Sequence, residues 1–273
     1  MLSRGLNMRA LATILIAAAT AFAAETTDPT PQQIEDIIQK FAAKEAEFAK
    51  AREAYTYRQS AKIQELDEGG NVQGRWEMVS DVVFSGEGKR SEKVVRAPVQ
   101  NLKNIIMTPE DEQDLRSIQP FVLTTNELSK YYIRYLGRET LDEIGCYSFA
   151  VKPKKMESGQ RYFEGIVWVD DRDLQIVKSY GRGVGQQKRG SDQAFPKFET
   201  FREQIDGKYW FPTYTIANDT LNFKSGLSQR IRQSVKYEDY KQFKASSTIR
   251  FGDEASDDKA KKPEPKKPEP KKP

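Results

Sequence analysis

The side chains able to do chemistry in this sequence are carboxylates, lysines and hydroxyls, with no imidazole among them. Its 273 residues include 44 Lys+Arg, 40 Asp+Glu, no histidine and one cysteine. Without histidine there is no Ser-His-Asp triad, no Cys-His pair and no His-ligated metal. With Cys146 alone, a thiolate zinc site and an intramolecular disulfide are excluded as well. Paired acids remain. Glu164, Asp170, Glu199 and Glu203 fall on predicted strands, and a glycosidase needs only two carboxylates at a set separation. With 40 acids in the chain such pairs arise by composition, so a carboxylate-based hydrolase is the weakest of the readings.

Other motifs resolve into turns and strands. Gly181-Arg182-Gly183-Val184-Gly185 has the look of a phosphate loop. It lacks the sixth-position glycine, the Lys-Ser/Thr pair and the helix that such a loop opens, and reads as a flexible strand exit. Asp170-Asp171-Arg172-Asp173 would need glycine and glutamate where Gln175 and Gly181 stand to be a calcium loop; it reads as a hairpin turn. Cys146, between Ile144-Gly145 and Tyr147-Ser148-Phe149, reads as a small strand residue. No metal or cofactor is expected.

The charge divides unevenly. Residues 1–23 carry Arg4 and Arg9 and no acid, and residues 252–273 carry seven lysines against six acids. The remainder is close to balance, so the basic pI of about 8.9 comes from the two ends. A nucleic-acid partner, which wants clustered cations on the folded part, is not expected. Met1–Arg9 is short and positive, Ala10–Ala21 is apolar, and Ala21-Phe22-Ala23 supplies small residues before polar Glu25. That is the three-part pattern of a secretory signal peptide cleaved after Ala23. The apolar run is well short of the ~20 residues a bilayer span needs. The expected division is a signal peptide at 1–23, one folded domain at 24–251 and a disordered Lys/Pro-rich tail at 252–273. The tail's proline density favours extended geometry, and its lysines suit an anionic envelope surface.

Elements can be placed along the folded part. Thr30-Pro31-Gln32-Gln33 combines an N-cap, a first-turn proline and a capping-box glutamine. Ile34, Ile37, Ile38, Phe41, Ala42 and Phe48 then recur at helical spacing, with an end near Arg52. Periodicity changes to two at Tyr55, and three antiparallel strands follow, the third ending at Ala97-Pro98. Asn101–Met107 has helical spacing, and Thr108-Pro109 opens another helix that Pro120 stops. Eight more strands are expected: Tyr131–Glu139, Cys146–Lys152, Arg161–Val169, Leu174–Tyr180, Phe198–Ile205, Tyr209–Ala217, Gln229–Tyr240 and Ser246–Phe251. The fold class is α+β, mainly β: one large curved antiparallel sheet of about eleven strands with an N-terminal helix and a helical insert. A curved sheet lined by aromatics and capped by helices either encloses an apolar cavity or closes on an ordinary filled core, and composition leaves both open.

The stretch from Tyr162 to Asp170 (Tyr-Phe-Glu-Gly-Ile-Val-Trp-Val-Asp), continued by Asp173–Val177, and the stretch from Glu203 to Pro212 resemble bacterial exported proteins of the outer-membrane lipoprotein-sorting, or LolA-like, family. The order of leading helix, three strands, helical insert and long meander is similar over residues 30–245. The resemblance implies a half-open β-barrel closed by a helical lid and holding acyl chains non-covalently. It assigns Leu102, Ile105, Ile106, Leu115 and Ile118 to the lid, and Trp76, Met78, Phe84, Phe149, Ile166 and Trp168 to the cavity lining. It further implies an arginine that fastens the lid, for which Arg58, Arg75 and Arg90 are all open. The function it implies is a periplasmic, non-enzymatic carrier of lipid or of lipoprotein acyl chains toward the outer membrane. The alternative is a ligand-sensing or scaffold module on the same fold that binds a protein partner, such as a protein of the outer or inner membrane.

Overall fold

The computed structural model describes residues 28–85, 88–187 and 190–243. The expected signal peptide, the Lys/Pro tail and the strand Ser246–Phe251 lie outside them. The first element is α1 (Pro31–Ala51). The Gln33 amide donates to the Thr30 hydroxyl at 3.3 Å and the Thr30 amide to the Gln33 side chain at 2.8 Å, closing the box that the sequence spells.

Three strands follow, β1 (Tyr55–Leu66), β2 (Val72–Phe84) and β3 (Arg90–Gln100). Strand β3 runs through Ala97-Pro98 where an end was expected. It is an edge strand, so the proline's missing N–H costs no ladder bond, and the register with β2 shifts around Val79. An insert of residues 101–130 contains α2 (Pro109–Gln113), a π-helical turn (Asp114–Ile118) and a 3-10 turn (Thr125–Lys130). Its first part, residues 101–107, forms no helix despite the apolar spacing. The chain then meanders through β4 (Tyr131–Leu141), β5 (Ile144–Pro153), β6 (Tyr162–Asp170), β7 (Ile176–Val184), β8 (Phe198–Gln204), β9 (Trp210–Asn222) and β10 (Ser228–Gln242).

These ten strands form one open, curved antiparallel sheet in the order β3-β2-β1-β10-β9-β8-β7-β6-β5-β4. The last strand pairs with the first, so β1 and β10 lie inside the sheet while β3 and β4 are its edges. Over β5–β7, α1 fills the inner face: Ile38, Phe41 and Ala42 pack on Phe149, Val151, Phe163, Val167 and Val169. The Phe41 and Phe149 rings lie 5.3 Å apart, both fully buried, each contributing roughly 1.5–3 kcal/mol. Over β1, β2 and β10 the insert takes that place, with Leu115 packed on Ala61, Ile63, Trp76, Val235 and Tyr237. No helix among the described residues is long and apolar enough to cross a membrane.

Candidate functional site: an apolar cavity under the insert

The insert does not fill the space beneath it. A cavity of about 480 Å³ remains between it and the sheet, within the roughly 300–1,000 Å³ span of small-molecule sites. Its floor is the inner face of four strands: Ile63 of β1, Ile231 and Gln233 of β10, Leu221 of β9 and Phe198 of β8. The insert roofs it with Ile105, Ile106, Met107 and Leu115, and the Phe195-Pro196 segment before β8 makes one wall. Ile106 is 73% exposed and Leu227 43% exposed, so apolar side chains continue from the interior to the mouth.

Buried polar groups fasten the roof. Glu65, fully buried on β1, accepts the backbone N–H groups of Lys103 (2.7 Å), Asn104 (2.7 Å) and Ile105 (2.8 Å). Those three amides are satisfied by a buried carboxylate, and residues 101–107 follow an irregular path. Gly74 stands opposite Glu65 on β2, and a Cβ there would lie 2.5 Å from the Glu65 carboxylate and 2.7 Å from the Asn101 carbonyl. Further along, Arg161 donates to both oxygens of Asp114 at 2.8 and 2.5 Å, with both side chains over nine-tenths buried. The same guanidinium lies 3.8 Å over the Phe195 ring, tying roof to wall. Burial pushes the Asp114 carboxyl up to about 6, with Arg161 opposing. At the insert's end, the Thr200 hydroxyl donates to the Gln119 carbonyl at 2.8 Å, and Arg202 donates to the Phe121 carbonyl.

Gly183 belongs to this arrangement, while Gly181 lies against the Phe163 ring, and neither is a flexible strand exit. Both lie within β7, and a Cβ on Gly183 would collide with the Asp114 carboxylate. Gly183 lets the Arg161–Asp114 pair sit against the sheet, and Gly181 makes room for the Phe163 ring.

Of the lid residues assigned by resemblance, Ile105, Ile106 and Leu115 roof the cavity. Leu102 packs over Trp76 and Met78, and Ile118 joins the α1 core. None of the six expected lining residues borders the cavity. Trp76 and Met78 lie on the correct face, in the filled cluster under Leu102 and Leu115. Phe149 is in the core against Phe41. Phe84 lines a second, polar recess of about 590 Å³ beside Arg52, Arg90 and Arg116. Ile166 and Trp168 occupy the opposite face of β6 from Phe163, Val167 and Val169, and the Trp168 indole donates to Glu139 at 2.9 Å. Both faces of β6 are apolar, and strand parity alone does not say which is inner.

Of the three arginines open to the lid-fastening role, Arg58 pairs with Asp81 at 2.9 Å and Arg75 approaches Glu77, whereas Arg90 shares Glu92 with Arg116 of the insert and donates at 2.8 Å to Gln59, whose amide reaches the Leu115 carbonyl of the insert. The missed residues are Glu65, Gln119, Arg161 and Gln233. The legible signal was polar type on apolar parity: Glu65 follows Ala61 and Ile63, and Gln233 stands between Ile231 and Val235.

The expected hydrolytic acids do not converge. Glu164 pairs with Arg182 and Lys152, Glu199 with Lys178, and Glu203 accepts from Thr213, while Asp170 caps its own turn through the Arg172 and Asp173 amides. Among the described residues no cluster of three or more acids or cysteine could hold a metal. Burial and the neighbouring Asp170, Asp171 and Glu139 push the Cys146 thiol up to about 12, so it stays protonated.

Fold and cavity together define a class: an open half-barrel with a helix on its inner face and an apolar pocket under an insert. No family model matches the sequence and no curated protein matches it. Among solved structures, a LolA superfamily protein from Nitrosomonas europaea is 14% identical, with a TM-score of 0.36 over 77% of this chain and 93% of that one. A DUF1329 family protein from Desulfovibrio piger is also 14% identical, with a TM-score of 0.42 over 81% of this chain and 96% of that one. A domain from Vibrio parahaemolyticus described as an outer membrane lipoprotein-sorting protein is 12% identical, with a TM-score of 0.35 over 77% and 95%. These are likenesses of chain path at low identity; what the cavity can hold follows from its own residues.

Proposed function

We propose that this chain is an exported, non-enzymatic carrier that holds a lipid, or the acyl chain of a lipoprotein, while it crosses the periplasm toward the outer membrane. The cavity of about 480 Å³, floored by Ile63, Ile231, Leu221 and Phe198, carries the reading. Each methylene buried there is worth about 0.8 kcal/mol, so a chain of about ten carbons brings roughly 8 kcal/mol before the cost of association. The exposed Ile106 and Leu227 at the mouth give that chain an apolar path inward. Loading and release require the pinned insert to move, and need neither proton transfer nor nucleotide. The leader pattern of Met1–Ala23 supports export.

A fluorescent acyl-chain probe tests the reading. Leu221→Trp fills the cavity and is expected to lower uptake at least ten-fold, at a stability cost of about 1–3 kcal/mol from overpacking. Trp168→Ala, on the outer face, is expected to leave uptake unchanged. Equal uptake by wild type and the folded Leu221→Trp protein would count against the cavity as the site.

A second reading has an observation of its own. Edge strand β3 leaves Val94 and Val95 about half exposed and Val99 39% exposed, a surface on which a protein partner's strand could pair. Charge substitutions at Val94 and Val99 that abolish partner capture while sparing acyl uptake would establish it.

A further inference from the structure

The polar recess that Phe84 lines is built around a cation without a counter-ion. Arg52, in the 3-10 turn (Arg52–Ala54) that follows α1, is half-buried, and its guanidinium makes no hydrogen bond or ion pair among the described residues. It contacts two rings, with Cζ 5.9 Å from the Phe48 centroid and 5.7 Å from the Phe84 centroid. Such contacts orient a guanidinium but bring it no negative charge. Burial lowers its pKa from the ordinary arginine value, with Tyr57 opposing, and Arg202 and Arg90 repel it further. An arginine stays charged even so.

Other cations meet at the recess from separate elements. Arg90 of β3 is the direct cross-strand partner of Phe84, and it shares Glu92 with Arg116 of the insert, whose Nε is 3.1 Å from that carboxylate. Lys130, at the insert's end, completes the set. The acids around them are already engaged. Glu92 serves Arg90 and Arg116 together, Glu112 takes Arg116 as well at 2.9 Å, and Glu127 is 3.7 Å from Lys130. Glu53, beside Gly88, is 2.6 Å from Lys50. Among the described residues, that leaves Arg52 with no carboxylate. The Arg116 and Lys130 side chains are 45% and 54% exposed, so the recess of about 590 Å³ is open to solutes. It shares no lining residue with the apolar cavity.

We propose that this recess binds a phosphate dianion, free or as the terminal group of a phosphate monoester. Guanidinium pairs with carboxylate and phosphate alike, but here the cations come from the turn after α1, from β3 and from the insert. A carboxylate offers two oxygens in one plane and a single charge. A phosphate monoester offers three oxygens around a tetrahedron and close to two charges. It answers Arg52 and can still face Arg90, Arg116 and Lys130. Tyr57, Phe84 and Val122 in the lining give the body of a monoester an apolar wall. An anion held there ties the insert to the turn after α1. The proposal stands apart from the carrier reading and does not depend on it.

Thermal unfolding and calorimetric titration of the full chain, at pH 8 and constant ionic strength, test this with inorganic phosphate, phenyl phosphate and benzoate. Both phosphates are expected to raise the unfolding midpoint, by about 5 °C at a hundred-fold excess over Kd. Benzoate is expected to bind at least ten-fold more weakly than phenyl phosphate. Arg52→Met is expected to fold, to be no less stable than wild type without phosphate, and to lose at least ten-fold in affinity for both phosphates. Lys130→Gln, at an exposed position, is expected to weaken phenyl phosphate about two- to five-fold. Pelleting with phosphatidylcholine vesicles that carry phosphatidic acid, lost in Arg52→Met, would assign the phosphate to a lipid head group. Phosphate binding without pelleting would assign it to a soluble source. The proposal is overturned by the absence of a shift with either phosphate, by benzoate binding as tightly, or by undiminished affinity in folded Arg52→Met. If that variant does not fold, undiminished affinity in Lys130→Gln overturns it.

Discussion

Arg202 and Glu45 join β8 to α1 at the deepest point of the fold, with the side chains 2% and 0% exposed and both Glu45 oxygens 3.1 Å from one guanidinium nitrogen. Glu45 also accepts the Ile176 amide at 3.0 Å. Burial raises the Glu45 carboxyl and Arg202 opposes that rise. Arg202→Met keeps bulk but strands the carboxylate, so urea unfolding is expected to show a loss of about 3–5 kcal/mol; a loss under about 1 kcal/mol would mean the pair is not closed as described. Asp114 gives a pH prediction. Its folded carboxyl titrates near 6 against an ordinary 3.8, because burial outweighs Arg161. Between those values the folded chain holds a proton that the unfolded chain has lost. The stabilisation from this group is therefore fully present below pH 3.8 and is lost as pH rises through about 6. Carboxyl-carbon NMR should place the Asp114 midpoint near 6, and a midpoint at or below 4 would show that the ion pair prevails over burial.

At the scale of elements, legibility followed how local each determinant is. The capping box of α1 lies within four residues, and the strands announce themselves by alternation, so α1 and all ten strands β1–β10 have sequence counterparts. The insert was misread where its partners are distant. Leu102, Ile105 and Ile106 have helical spacing, yet the backbone beside them is claimed by Glu65, some forty residues earlier. The lining was misread for a different reason: Ile166 and Trp168 are as apolar as Phe163 and Val167, and only the pairing with β5 and β7 settles the parity. Glu65→Leu removes three charge-assisted hydrogen bonds from the root of the insert. Amide hydrogen exchange at residues 103–105 is expected to accelerate at least ten-fold, with the β1–β10 ladder unchanged. Unchanged exchange at 103–105 would show that Glu65 does not fasten the insert.

Across the whole molecule, one sheet serves two uses. Beneath α1 the inner face is filled by interlocking aromatics, including Phe41 against Phe149 at 5.3 Å. Beneath the insert the same face is left partly open. The filled half gives rigidity and takes in Ile118, Phe121 and Leu123 from the later part of the insert, while the roof at residues 103–105 is held by Glu65. That division suits a protein that must keep its fold while its ligand enters and leaves. The central claim, that the cavity holds an acyl chain, is tested most directly by native mass spectrometry of the full chain purified without detergent from a periplasmic extract. The expected spectrum shows a one-to-one adduct that organic solvent removes and that added acyl chain restores. A bare polypeptide that takes up no added chain would contradict the account.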